Sequence, residues 1–358
     1  MISEELLKRQ FSIGALAFDD DGNLISPDIS VFDSGDASTA GGASPRGSGY
    51  YNSVMACPRM WQLRYKLGLV PRVDRRYRLE GTLIHRALAF YWANRMGLAG
   101  YRQPQWHKPL LSELEQELLT LGRGFPTSVT MSMNVLNDYT KYYTPIEDFV
   151  PVAVEQCFYA TIDEVDPPRA DMTPEERAVG TEVVSVRPDV LGHALGGNPL
   201  KLLIMDHKTE GRQYGAKNAD RSVAALEPWR DDGEHTISWQ QMLYVTVMRA
   251  VVRREHKGAE VLGSTIQRVR RESPTGVARH DLYMPLPAFE QIPRTLRSVA
   301  VEARRIGADL EKGIKPRWHT WSCQTRWGAC DYREVCAAPT KKDMVDRLKA
   351  DFIQIAVK

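Results

Sequence analysis

The apolar positions of this chain change period along its length, and each change marks an element. From about Leu79 to Met96 they recur at helical spacing, with Leu83, Leu88 and Tyr91 on the expected buried face. The helical period continues from Trp106 to Tyr143, first through Leu110, Leu111, Leu114, Leu118 and Leu121 and then through a second segment from Met131 to Tyr142. Further on, Pro151 to Ile162 is rich in β-formers, as are the runs Val186–Leu191 and Leu202–Lys208. A helix follows over Trp239–Arg254, with Ser238 placed to cap it. Two more strands are expected over Val261–Arg271 and Val277–Met284, joined at Ser273-Pro274-Thr275-Gly276. A long helix is expected over Pro287–Lys312 and a short amphipathic one over Lys342–Val357. The alternation of strands with helices predicts an α/β fold, a central mixed sheet flanked by helices, with a helical insertion at about 97–150. The stretch over residues 19–50 is too poor in large apolar groups to offset the entropy of ordering. A flexible N-terminal segment is expected over 1–49, with order beginning near Tyr50.

The two runs around Gly196-Gly197-Asn198 read as a β-hairpin, and a symmetric turn centred between Gly197 and Asn198 sets Asp189 opposite Asp206. Directly opposed residues have Cβ atoms roughly 4.5–5.5 Å apart, so two carboxylates there repel one another unless a cation lies between them. Lys208 follows Asp206 by the strand period of two and shares its face. An acid, a second acid and a lysine two residues on is the pattern of a metal-dependent phosphodiesterase. Taken alone, a D…DxK pattern more often belongs to an ordinary exposed hairpin.

Composition narrows the setting. The formal net charge is only +2, so affinity for nucleic acid must come from local patches such as Arg268, Arg270 and Arg271, expected on a sheet edge. The chain starts without a basic, apolar leader, and no stretch reaches the roughly 18 apolar residues that would cross a bilayer. A cytoplasmic protein with no membrane partner is expected. The 358 residues contain five cysteines, and in a reducing compartment these are better read as metal ligands than as disulfides. Cys323, Cys330 and Cys336 cluster near Trp318, Trp321 and Trp327, and three clustered thiols need a fourth ligand, for which Cys57 is available. Spacing alone slightly favours tetrahedral zinc over iron–sulfur. Cys157, in a predicted strand, reads as a small buried apolar residue. No G-x-x-x-x-G-K-[ST] motor motif occurs.

Further residues give these patterns a common frame. Gly81-Thr82-Leu83-Ile84-His85 lies upstream of the hairpin, Val154-Glu155 also precedes it, Gln240 and Tyr244 follow one helical turn apart, and Ser53…Cys57-Pro58-Arg59 opens the ordered part. Over residues 50 to 340 this order resembles the PD-(D/E)XK nucleases of the RecB and Cas4 type. The resemblance implies a restriction-endonuclease-like core. It implies a site of His85, Asp189, Asp206 and Lys208, with Gln240 and Tyr244 as the Q-x-x-x-Y pair and Glu155 as an acid outside the immediate ligand set. His85, Asp189, Asp206 and the backbone carbonyl of His207 would hold Mg²⁺ or Mn²⁺. Lys208 would orient or deprotonate the attacking water, or stabilise the charged transition state.

The same resemblance reverses the preference at the cysteines. It implies a [4Fe–4S] cluster on Cys57, Cys323, Cys330 and Cys336, with Zn²⁺ as the alternative, in a cluster-binding region over 318–337 that clasps the two ends of the domain. One departure stands: Cys323 and Cys330 have six residues between them, where about two is usual. The activity implied is a DNA exonuclease acting on single- or double-stranded ends in recombination, replication or repair, beside partner proteins of those processes. If the gene is a phage's, the setting is the host cytoplasm. The alternatives are site-selective end processing of the Cas4 kind and a non-catalytic DNA-binding or assembly subunit.

Overall fold

The structure is a computed structural model. It describes residues 17–18, 24–25, 46–66, 69–71, 76–99, 110–210, 238–255, 258–271, 275–282, 284, 286–312, 314, 316, 323–325, 328–339 and 341–354. In chain order, a two-stranded ladder of β1 (Ala17–Phe18) and β2 (Leu24–Ile25) precedes α1 (Ser48–Ala56) and α2 (Pro58–Trp61). A π-helical turn over Gln62–Lys66 leads to β3 (Leu69–Pro71) and the long α3 (Arg76–Leu98). Next come α4 (Leu111–Leu121), α5 (Pro126–Tyr142), β4 (Phe149–Val154) and β5 (Phe158–Thr161). Two short helices, α6 (Ile162–Val165) and α7 (Pro174–Ala178), precede β6 (Val183–Val186), β7 (Val190–Ala194) and β8 (Lys201–Glu210). Then follow α8 (Trp239–Glu255), β9 (Glu260–Arg270), β10 (Val277–Leu282) and α9 (Leu286–Glu311). The chain closes with β11 (Gln324–Thr325), β12 (Gly328–Ala329), α10 (Arg333–Cys336), α11 (Lys341–Asp351) and β13 (Phe352–Gln354).

Two compact units emerge, one of residues 1–36, 76–159 and 186–288, the other of residues 37–75, 160–185 and 289–358. The first holds a five-stranded sheet of order β10-β9-β8-β7-β4. All its pairings are antiparallel except β8 with β9, which is parallel and needs a crossover, supplied in part by α8. The result is a mixed α/β fold whose central sheet is mostly antiparallel, with helices packed against it. The hairpin register is Val190↔Met205, Leu191↔Ile204 and Gly192↔Leu203, so one step beyond the Val190↔Met205 pair Asp189 stands level with Asp206. Gly196 closes the turn at φ 73°, a left-handed conformation that side chains resist, and Asn198 Oδ1 accepts the Leu200 N–H at 2.9 Å. Gly192 is required by space, since a Cβ there would lie 2.3 Å from the Val150 carbonyl oxygen.

Helix α3 is the main support of the sheet. Leu83, Ile84, Ala87, Leu88, Trp92 and Met96 are buried with Leu114 and Leu118 of α4, Val135 and Leu136 of α5, and Val154, Val190 and Met205 of the sheet. Each fully buried large apolar side chain of this set contributes about 1.5–3 kcal/mol relative to leaving it in water. The leucine stripe expected on α4 is narrower than its sequence suggested. Leu114 and Leu118, four apart, are buried, while Leu110 and Leu111 are 57% and 48% exposed because they precede or open the helix and point off its packed face.

Three further expectations are corrected. The strand expected from Pro151 to Ile162 is broken after Val154: Glu155 takes φ 51°, and β5 leaves to pair with β6. The helix expected from Lys342 to Val357 ends at Asp351, because Phe352–Gln354 adds as a strand to Leu69–Pro71. The basic edge expected on β9 is not an edge, since β10 covers it. Arg268 is only 4% exposed, and Arg271 is committed to Glu80 at 2.7 Å. Much of the segment expected to be flexible, the polar stretch 211–237, and Trp318, Trp321 and Trp327 lie outside the described residues.

The second unit contains α1, α2, β3, α6, α7 and the chain from 289 onward. Its buried anchor is Arg297, fully enclosed, which donates to Asp166, Asp163 and the Glu176 carbonyl, each at 2.7 Å. Capping boxes at Thr161 with Glu164 and at Thr173 with Glu176 start the two short helices that bring these acceptors together.

Candidate active site and thiol cluster

The candidate site forms where β8 outruns β7. Pro188 precedes the first paired residue of β7, so β8 continues past it with only β9 alongside. The His207 N–H then has no strand partner on that side, and Asp189 Oδ2 accepts it at 2.6 Å. On the far side of β7, Val154 pairs with Val190, and the Glu155 N–H donates to the Asp189 carbonyl at 2.9 Å. Glu155, Asp189 and Asp206 therefore form one row across three neighbouring strands. His85 reaches that row from α3, its Nδ1 3.4 Å from Asp189 Oδ2.

Alternation along β8 sends successive side chains to different partners. Asp206 and Lys208 meet α8: Lys208 Nζ is 2.5 Å from Asp206 Oδ2 and donates to Gln240 Oε1 at 3.2 Å. The Gln240 amide nitrogen in turn donates to Asp206 Oδ1 at 3.2 Å and to the Tyr244 hydroxyl at 3.1 Å. His207 instead turns toward α3, where it is 2% exposed and its Nε2 accepts from Trp92 Nε1 at 2.9 Å.

The donor atoms of His85, Glu155 and Asp189 all lie within 4.8 Å of one another. Asp206 is outside that trio, closed onto Lys208 and Gln240. Glu155 is therefore more central than its sequence position suggested. Arg187, whose Nε is 3.2 Å from Glu155 Oε2, was not anticipated. Its place two residues before Asp189 was the available signal, since residues of that spacing share a strand face. Trp92 was also missed, although it lies seven residues after His85, two turns along the same helix.

The electrostatics are those of closely spaced, desolvated acids coupled to neighbouring bases. Burial lifts the Glu155 carboxyl and the nearby Asp189 lifts it further, against the pull of Arg187. Burial likewise raises Asp206, with Lys208 pulling down and Asp189 pushing up again. Burial would raise Asp189 too, yet His85 and the bonds from His207 hold it well below the usual carboxylate range. Burial opposes charge on His85, but Asp189 overrides it and pushes the imidazole up to about 9. For His207 burial wins and lowers the imidazole. Burial disfavours the Lys208 ammonium, and Asp206 more than compensates, so its proton is held more tightly than usual. Two oxygen-donor carboxylates and an imidazole, mutually close and partly enclosed, fit a divalent cation of the Mg²⁺ or Mn²⁺ kind.

In the second unit, Cys57 is buried where α1 ends, in extended conformation (φ −162°, ψ 106°), and Cys323, Cys330 and Cys336 are partly buried. The Cys330 N–H donates to the Cys323 carbonyl at 2.9 Å. The Cys336 thiol is pushed up to about 11 by burial first, with Arg59 opposing and Cys57, Cys330 and Cys323 adding to the rise. Cys330 is raised likewise, with Cys323 and Cys57 among the causes. Thiols of this kind suit a soft metal, but among the described residues the group whose donor atoms all lie within 4.8 Å of one another is His85, Glu155 and Asp189, with no cysteine in it. Cys157 belongs to the first unit; expected as a buried strand residue, it instead falls in the break between β4 and β5 and is only partly buried, and desolvation raises its thiol.

The sequence profile of the PD-(D/E)XK nuclease superfamily matches residues 50–337, and the chain belongs to that superfamily. Among solved structures, a protein from Eubacterium rectale carrying the provisional name of exonuclease is similar at 10% identity and a TM-score of 0.40, over 80% of this chain and 88% of that one. So loose a likeness carries no argument. No curated protein matches. Among the described residues no helix is long and apolar enough to cross a membrane.

Proposed function

We propose that the chain is a DNA exonuclease of the RecB and Cas4 type, cutting phosphodiester bonds at DNA ends with a divalent cation. The observation that carries this reading is the convergence of His85, Glu155 and Asp189 beside the Asp206–Lys208 pair. His85, Asp189 and Asp206, with the His207 carbonyl, would hold Mg²⁺ or Mn²⁺, and Glu155 joins them as a candidate ligand. A cation bound there polarises the scissile phosphate and makes an attacking water more acidic.

The chain's own groups do the rest. Lys208, kept protonated by Asp206, presents a fixed positive charge where negative charge grows in the transition state. Gln240 bridges Asp206, Lys208 and Tyr244, so it sets the direction of the ammonium without adding charge. The nuclease domain would run over 50–340, with Cys57, Cys323, Cys330 and Cys336 holding a [4Fe–4S] cluster or, in its place, Zn²⁺. Its role would be structural. The test is release of nucleotides from linear against covalently closed DNA, with Mg²⁺, with Mn²⁺ and with chelator. Release from linear DNA alone supports an exonuclease. A few discrete products indicate site-selective end processing of the Cas4 kind, and binding without cleavage in either metal would leave a non-catalytic DNA-binding subunit.

A further inference from the structure

We infer that the side chain of His207, the middle residue of the D-x-K run, is a positioning residue that aims the Asp189 carboxylate, and that Trp92 and Gln267 fix the imidazole tautomer this requires. The inference rests on reading Asp189 as a cation ligand. Trp92 Nε1 can only donate, and it meets His207 Nε2 at 2.9 Å. A second donor faces the same atom. The Gln267 amide, oriented so that its oxygen accepts from Tyr139 Oη (2.7 Å) and Arg279 (2.8 and 2.9 Å), brings its nitrogen 3.2 Å from His207 Nε2. With two donors on Nε2, that nitrogen must be bare, and the proton of the neutral ring sits on Nδ1.

Nδ1 is buried, and Asp189 Oδ2 is 3.3 Å away, looser than a fully formed bond. The same oxygen accepts the His207 backbone N–H at 2.6 Å, so backbone and side chain of one residue converge on one carboxylate oxygen. The other oxygen, Oδ1, is left free of these contacts. The support behind the ring is itself braced: Arg279 donates to Glu147 Oε1 at 2.7 Å and lies 5.8 Å from the centre of the Trp92 ring. Fixing the acceptor nitrogen at one end of an imidazole to aim a donor at a ligand from the other end is a recognised way of tuning a metal site. Losing such a support lowers metal affinity by about 10–100-fold.

Two measurements on the whole protein test this. In metal-free, ¹⁵N-histidine-labelled protein, the His207 signal, assigned by its loss in His207→Leu, should show a protonated Nδ1 and a bare Nε2. A protonated Nε2 overturns the inference and leaves the nuclease reading intact. In calorimetric titration with Mn²⁺, His207→Leu should bind about 10–100-fold more weakly than wild type. His207→Asn, whose amide nitrogen can take the place of Nδ1, should recover most of that loss at equal melting temperature. Equal Mn²⁺ affinity in wild type and His207→Leu overturns the inference. Equal Mn²⁺ affinity in wild type and Asp189→Asn, titrated in parallel, or no binding by either, overturns the reading of Asp189 as a ligand beneath it.

Discussion

Asp189 and Asp206 are hairpin neighbours brought level by a ladder of backbone hydrogen bonds, whereas Cys57 and the three late cysteines come from opposite ends of the chain. In the acidic site each candidate ligand sits on or beside a long element, and its place follows from register and from the rise of α3. At the thiols the supports are short: the junction of α1 with α2, the pair β11–β12 and the four-residue α10. The first arrangement stands on its own hydrogen bonds. The second, on the proposed reading, would lean on a metal held by the thiols, since the small apolar cluster beside Cys330 and Cys336, Leu63, Tyr332 and Val335 with a few neighbours, is modest. Removing a ligand should therefore cost activity in one region and stability in the other.

The largest expected effect is at Asp206 and Lys208. Asp206→Ala and Lys208→Ala should each lower cleavage by about 10²–10³-fold or more while leaving most DNA affinity, which comes from many phosphate contacts. Single-turnover cleavage beside filter binding measures both, and wild-type turnover in either variant would remove the pair from the site. Next in size, Ser at Cys57, Cys323, Cys330 or Cys336 should strip the metal and lower the melting temperature together. Cys157→Ser should do neither. A loss of even ~1 kcal/mol moves a midpoint by about 2–4 °C in a domain of some 150–250 residues. Brown colour and iron content distinguish a cluster from stoichiometric zinc, and retention of full metal by all four variants would dissolve the proposed ligand set.

Smaller still, His85→Ala should weaken Mn²⁺ binding by about tenfold or more, with activity partly regained at high Mn²⁺ because the carboxylates remain. A drop in melting temperature with unchanged metal dependence would instead make His85 a packing residue. The smallest effect is one of pH. In metal-free protein the His85 imidazole is raised to about 9, above its ordinary value of about 6.5. Its pairing with Asp189 thus stabilises the fold fully below about 6.5 and fades as pH rises through 9. A cation must displace that proton, so Mn²⁺ affinity should climb over the same interval in wild type and stay flatter in His85→Ala.

The sheet was legible because its signals are local. Gly196-Gly197-Asn198 sets one turn, β-formers flank it, and the pairing of Asp189 with Asp206 follows by counting. Gln240 and Tyr244 were legible for a similar reason, a helical turn being a fixed interval. What escaped were effects with no periodic trace. The break after Val154 depends on a single backbone angle at Glu155, and the run around it still looks like one strand. The pairing of β9 with β10 and the burial of Arg268 left no trace in the sequence, which read Arg268 as part of a basic patch on a sheet edge. The role proposed for His207 depends on Trp92 and Gln267, one on a helix and one on a neighbouring strand, so nothing within the D-x-K run announces it.

Glu155 at φ 51° has one more consequence, for how this chain divides durability from activity. A residue with a Cβ pays about 1–2 kcal/mol to occupy that left-handed region, and glycine does not. Desolvation first and then Asp189 also raise its carboxyl, against the pull of Arg187 and His85, so holding its charge there costs the fold as well. Glu155→Gly should accordingly raise the melting temperature of metal-free protein while weakening Mn²⁺ binding, a trade that a residue kept only for packing would not show. Unchanged Mn²⁺ affinity in a stabilised variant would return Glu155 to the periphery of the site.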